Sequence, residues 1–361
     1  MKTRIDPWSS TEIKDYEKIS KEFGIEKIDS ILKSLPKKHH YFTRKLIFGH
    51  KSLQTILDAR KSKKPFAMLT GLMPSGKFHL GHKMVADEMI YFQQLGAECY
   101  VVAADIEAYL TRNIKRDKLK QLATEEYFLN YIALGLKPKK TIFYFQSTGP
   151  KEYMNLSKYV AKKTTFNELK SIYGNLTPEK IISALTQVAD ILYPQLDKPK
   201  PVVVPVGIDQ LPHINLARDI SSRLKSEYNF ILPSATFHKL LPGLKQGKMS
   251  SSDPTSAIFL SDSEKEVEIK IKKYAFSGGQ ETIKEHREKG GNPDIDVSYQ
   301  YLTLFETNDN KLKKIYNDYK SGKLLTSELK QILIDKINSF LKKHQKNKEK
   351  AKNQLDKFIQ K

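Results

Sequence analysis

The residues able to do chemistry gather first in Pro74-Ser75-Gly76-Lys77-Phe78-His79-Leu80-Gly81-His82. The apolar run Phe66-Ala67-Met68-Leu69 precedes them and the stretch from Met84 to Ile90 follows, an order of strand, Gly/Pro loop and helix. In α/β folds that order builds an anion site, because unpaired N–H groups and the positive end of the dipole meet at the helix start. Two histidines one turn apart add donors where charge would build on a reacting phosphate, and Gly81 lets a ligand approach the backbone. A second cluster, Lys248-Met249-Ser250-Ser251-Ser252, follows Gly243 and Gly247. A lysine and several hydroxyls on a glycine-flanked loop read as a mobile cationic clamp for a triphosphate or, taken alone, as a flexible linker.

The elements that would position these groups can be read from periodicity. Strands are expected near Phe66-Ala67-Met68-Leu69, at Cys99 to Ala104, at Thr141 to Phe145 and at Val202 to Val206, with a helix over Lys118 to Ala133. Alternation of strands with helices of this length indicates a doubly wound, Rossmann-like parallel sheet. Residues 1–60 read as a small, mostly helical N-terminal segment, 61–258 as the catalytic α/β domain with a helical insertion over about 151–192, and 259–361 as a helical C-terminal domain. Within the insertion Thr177-Pro178-Glu179 is a helix-start signal. Gly207-Ile208-Asp209-Gln210, after the last strand, repeats the strand, glycine turn, helix order of the first loop. Pro205 fits that strand only if its missing N–H faces no partner.

A chain of 361 residues is long enough for two or three domains with a sizeable core. Its net charge of +21 favours a polyanionic partner, nucleic acid foremost. A lysine-rich genome or a heat-adapted surface would produce the same excess, since Lys greatly outnumbers Arg. The tail 341–361, dense in lysine, is either a solvated terminal helix or one that faces RNA. The lone Cys99 excludes an internal disulfide framework and suits a reducing cytoplasm. Neither a signal region nor a membrane-spanning apolar run is present, so a cytoplasmic protein with no membrane partner is expected.

The H-x-G-H pattern of His79 to His82 resembles the "HIGH" signature of class I aminoacyl-tRNA synthetases, and also that of small nucleotidyltransferases. Lys248 to Ser252 resembles the "KMSKS" signature of the synthetases and decides for them. Ala275 to Arg287, with Gly290-Gly291-Asn292-Pro293-Asp294-Ile295-Asp296-Val297-Ser298-Tyr299 and the early Asp6-Pro7-Trp8, resembles tryptophanyl-tRNA synthetases of the archaeal and eukaryotic type. The likeness runs from about residue 5 to 345.

That resemblance implies ATP-dependent activation of L-tryptophan and its transfer to tRNA(Trp), with Mg2+ arriving on ATP, by a homodimer whose C-terminal domain reads the anticodon. It implies that His79 and His82 stabilise the reacting phosphates, Lys248 reaches the β/γ end, and Ser250 and Ser252 hold the loop. Gly71, Pro74, Ser75, Gly81, Gly207, Asp209 and Met249 would bind ATP, with Gly207 and Asp209 beside the ribose. Glu107 matches the acidic position that reads the indole N–H, a donor that requires an acceptor, while Gln187 and Gln210 match polar substrate contacts. Such a site would discriminate against phenylalanine by roughly 10⁴–10⁵; without the resemblance, Glu107 reads as a helix-start carboxylate. No metal cage is expected.

The chain departs from the family at two places. Ser251 stands where the familiar signature has a second lysine, leaving Lys77, Lys83 or Lys245 to compensate. The indole wall must come from Met68, Leu69 or Tyr109. Two rivals stay open: a tyrosyl homologue using Asp190 as hydroxyl acceptor, and a catalytically idle RNA-binding paralogue.

Overall fold

Val202-Val203-Val204 is apolar on both faces, as a strand must be when helices cover both sides of a sheet. It begins β6 (Val202–Gly207) in the computed structural model, which describes residues 5, 15–112, 114–247, 249–251 and 253–359. The other strands are β1 (Glu26–Lys27), β2 (Ile47–Lys51), β3 (Ala67–Leu72), β4 (Glu98–Ala103), β5 (Thr141–Phe145) and β7 (Ser234–His238). They form one seven-stranded sheet in the order β1-β2-β7-β6-β3-β4-β5, parallel from β7 to β5 and antiparallel at the β1-β2-β7 edge. This is the expected doubly wound sheet with helical companions. The stretch 1–60 contributes the two antiparallel strands as well as helices at Tyr16–Phe23 and Leu53–Lys61.

Strand order reverses between β3 and β6, because β4 and β5 continue to one side and β7 to the other. The β3–β6 ladder also stops early, at Met68↔Val203. Pro205 lies beyond that point, so its missing N–H removes no bond to β3. A parallel sheet binds ligands at the carboxyl ends of its strands at such a reversal.

The expected helix over 118–133 is interrupted: Arg116–Leu122 passes through a π-helical turn, Ala123–Phe128, into Leu129–Leu134. The turn carries Tyr127, whose buried hydroxyl, pushed up to about 12 by desolvation, faces the Ser75 and Gly76 backbone. The insertion is helical over Lys151–Lys162, Phe166–Tyr173 and Pro178–Leu192. Thr177 occupies the expected N-cap position before Pro178, but its hydroxyl makes no capping bond.

Contacts divide the described chain into two units. One comprises residues of 1–76, 84–239 and 351–361; the other comprises 77–83 and residues of 240–350. The second is helical over Glu264–Tyr274, Ile283–Lys289, Val297–Phe305, Asp309–Lys320 and Thr326–Ala351. Its centre is the buried Asp296 carboxylate, which accepts from the N–H groups of Gly278, Ser298 and Tyr299 and from the Tyr319 hydroxyl. A Cβ on Gly278 would lie 2.0 Å from the Asn292 carbonyl oxygen, so glycine alone fits there. The family-like block 275–302 is therefore a close-packed backbone crossing, and it ties to the loop before Lys248: Phe276 N–H donates to Leu244 O and the Tyr301 hydroxyl to Pro242 O, both at 2.7 Å.

In the first unit the tail turns back on the sheet. Phe358 is buried, stacks on Phe143 with ring centroids 4.9 Å apart, and its carbonyl accepts from the Phe143 N–H at 2.7 Å. Ile359 adds a parallel bridge to Phe143, covering part of the edge strand β5.

Candidate active site

In the second unit, Lys77–Lys83 is stitched to the chain after the serine cluster. His79 pairs antiparallel with Phe259, Leu80 N–H donates to Ile258 O and Leu260 N–H to Phe78 O. The Leu80–Gln94 helix begins there. The His79 and His82 rings stack with centroids 3.7 Å apart and 16° between planes. Each ring spends its Nδ1 lone pair on the backbone: His79 Nδ1 accepts from Gly81 N–H and His82 Nδ1 from His79 N–H, both at 3.1 Å. That assignment leaves the proton on Nε2 of both rings. Burial lowers His79 to about 4, and burial together with His79 holds His82 well below its ordinary value. The pair is thus neutral at pH 7 and presents two oriented N–H donors. Gly81 makes the arrangement possible, since a Cβ there would lie 3.0 Å from His79 Cε1.

The serine cluster packs on this turn. Met249 is buried, with its sulfur 3.7 Å from where a Gly81 Cβ would sit, and Ser251 Oγ donates to Lys77 O at 3.1 Å. Ser256 holds the loop from behind: its hydroxyl accepts from Ser250 N–H and donates to Asp253 O. Gly247, at φ +70°, makes the turn before the lysine, where its carbonyl accepts from Gly243 N–H. Lys248 and Ser252 lie outside the described residues, as do Asp6, Pro7 and Trp8. Of the three lysines named as substitutes for a second signature lysine, Lys245 sits 3.9 Å from Asp253 and Lys83 lies over the Phe305 and Phe340 rings. Lys77, exposed, has its backbone bonded to the substituted position itself.

In the first unit, Glu107 stands in the first turn of the Asp105–Arg112 helix after β4. Gln187, from the Pro178–Leu192 helix, donates to Gln210 Oε1 at 3.1 Å, and Gln210 contacts Asp209 at 3.4 Å. Asp209 and Gln210 sit in the turn after β6, with Gly207 ending that strand; Gly71 lies near the end of β3, its Cβ position 3.0 Å from Val102. Pro74 is buried and Ser75 exposed. Leu69 and Met68 are both buried, Leu69 in the core cluster with Val102, Tyr144 and Val188, whereas Tyr109 is half exposed.

Sequence reasoning passed over Gln146 and Tyr153 and treated Asp190 only as a rival's acceptor. Asp190 is 2 % exposed and accepts from the Tyr153 hydroxyl at 2.6 Å, Gln146 Nε2 at 2.8 Å and the Tyr144 hydroxyl at 3.3 Å. Desolvation raises it to about 7 against these donors. The signal for Gln146 was its place directly after a parallel strand, at the sheet's ligand-binding end. Among the described residues no group of three or more His, Cys, Asp or Glu could hold a metal, and no helix is long and apolar enough to cross a membrane.

Comparison with known proteins agrees with this geometry. The chain is 43% identical over 357 residues to the tryptophan–tRNA ligase of Methanocaldococcus jannaschii, covering 96% of each chain. It is also 43% identical to that of Hyperthermus butylicus, over 99% of this chain and 98% of the relative. The crystal structure of the Aeropyrum pernix tryptophanyl-tRNA synthetase superimposes with a TM-score of 0.93 at 42% identity, covering 99% of both chains. A family model for class I tRNA synthetases (W and Y) matches residues 61–342. With its stacked histidines and docked serine loop inside that matched span, the chain belongs to the class I tRNA synthetases of the tryptophan and tyrosine branch.

Proposed function

We propose that this chain activates L-tryptophan with ATP and transfers the product to tRNA(Trp). The tryptophan carboxylate attacks the α-phosphate in line, giving tryptophanyl-adenylate and pyrophosphate. The acyl group then moves to a ribose hydroxyl of the tRNA's terminal adenosine, releasing AMP. Neither step needs an enzyme nucleophile; positioning and neutralisation of developing charge carry the rate.

The observation that carries the reading is the packing of Met249 and Ser251 on the His79–His82 turn, which joins both signature segments in one unit. His79 and His82 donate Nε2–H to phosphate oxygens as neutral groups. Lys248 serves the β/γ end, with Ser250 and Ser252 holding its loop. Gly71, Pro74, Ser75, Gly81 and Met249 border ATP, and Gly207 and Asp209 border its ribose. Glu107 accepts from the indole N–H, Gln187 and Gln210 hold the amino acid's polar end, and Leu69 backs the ring. Mg2+ enters as part of the substrate, with the phosphates as ligands; the protein's described residues offer no three-group cage of their own.

Asp190 supports tryptophan over tyrosine, because three donors from within the protein already engage its carboxylate. The helical C-terminal unit binds the anticodon end of the tRNA, helped by the net charge of +21. The exposed Met154, Tyr159, Phe166 and Ile182 of the insertion meet a second copy to form a homodimer, and the buried single thiol suits the cytoplasm. ATP–pyrophosphate exchange with each amino acid tests the reading: tryptophan supports exchange and tyrosine does not. Exchange with tyrosine alone overturns it, and sedimentation of a monomer at micromolar concentration overturns the dimer.

A further inference from the structure

Glu107 is not placed by its own helix alone. Its backbone N–H donates to Gln146 Oε1 at 3.3 Å, and Gln146 Nε2 donates to Asp190 Oδ2 at 2.8 Å. Both partners are buried. The next residue clamps the same helical turn a second time: Ser147 N–H and Oγ donate to the two Asp105 oxygens at 3.1 and 2.5 Å. A primary amide between an N–H and a carboxylate has one workable orientation, since the carboxylate takes the NH2 and turns the carbonyl toward the N–H. Tyr153 and Tyr144 secure Asp190 through its other oxygen, so the carboxylate that orients the amide is itself fixed.

We propose that Gln146, oriented by Asp190, is the positioning residue that sets Glu107 and thereby the enzyme's affinity for the tryptophan ring. This rests on the tryptophan reading above and extends it. Gln146 touches no reacting atom; it supplies the acceptor for the Glu107 N–H in the first turn of the Asp105–Arg112 helix, where the helix's own carbonyls cannot serve, and so fixes the turn from which the Glu107 carboxylate projects.

The test is ATP–pyrophosphate exchange for the wild type, Asp190→Asn, and Asp190→Asn combined with Gln146→Glu. In the single variant the new amide offers an NH2 to Gln146, whose own amide must reverse and point its NH2 at the Glu107 N–H, donor against donor. In the double variant a carboxylate at 146 accepts from both sides again. The KM for tryptophan should rise about tenfold in the single variant with the KM for ATP within about twofold, and return to within about threefold of wild type in the double. An unchanged KM for tryptophan in the single variant, or no recovery in the double, overturns the proposal. If Asp190→Asn loses its cooperative thermal transition, Gln146→Leu replaces it, and a wild-type KM for tryptophan there overturns the proposal equally. A wild type without tryptophan-dependent exchange fells the functional reading first, and this inference with it.

Discussion

The His79 and His82 imidazoles lie face to face, 3.7 Å between centroids, each with Nδ1 accepting a backbone N–H. Protonating Nδ1 of either ring would break that acceptor bond and place a charge against its stacked neighbour. Replacing either histidine by alanine should lower kcat about 10²–10³-fold with little change in the KM for tryptophan, the loss expected for a preorganised donor at developing charge. Steady-state exchange kinetics checks the split.

The same pair sets an acid limit on stability. Folding holds His79 at about 4 and His82 well below its ordinary value, while the unfolded chain titrates near the ordinary imidazole value of 6.5. Below that value the unfolded state binds protons that the folded state refuses. Stability is therefore full above about pH 6.5 and falls as pH drops from there toward 4. Denaturant melts between pH 4 and 7 should show that slope, and the His79→Asn variant should lose part of it.

Asp190 works in the opposite direction. Its folded value of about 7 lies above the ordinary carboxylate value of 3.8, so the folded state holds a proton that the unfolded chain has released. The contribution is complete below about 3.8 and is lost as pH rises through 7. Asp190→Asn should flatten the fall in stability between pH 5 and 8, read as a smaller change in denaturation midpoint.

Gly81 is tested by size alone. A methyl group there meets His79 Cε1 at 3.0 Å and Nδ1 at 3.1 Å, so the ring must tilt away and its stacking must change. Gly81→Ala should cost about 10²-fold in kcat without lowering the melting temperature by more than a few degrees. A normal kcat would show that the ring has room to adjust.

The tail answers to stability before RNA. Phe358 is buried on Phe143 and its carbonyl caps the β5 edge, so Phe358→Ala should destabilise the protein by about 3 kcal/mol. A truncation at 350 removes this packing along with several lysines. Any loss of tRNA affinity must accordingly be compared with Phe358→Ala, which keeps the charge, over a range of salt concentrations.

Much of this protein was legible in its residues alone. Local order is enough to specify the parallel strands, since Val202 to Val204 and Thr141 to Phe145 carry their apolar pattern within a few residues. The H-x-G-H turn and the lysine–serine loop were equally legible, because each motif is short and contiguous. Tertiary structure decided what those pieces touch. Residues 77–83 join 240–350, Ser251 bonds to Lys77 across 174 positions, and Asp190 reaches Gln146 across 44. Phe358 closes on a strand more than two hundred residues earlier. Periodicity reports which face of an element is apolar; it holds no record of the partner that will cover that face or satisfy its polar groups. Those partners are chosen only when distant segments compete for the same buried space, and here that choice set the protonation of the histidines and the orientation of the Gln146 amide.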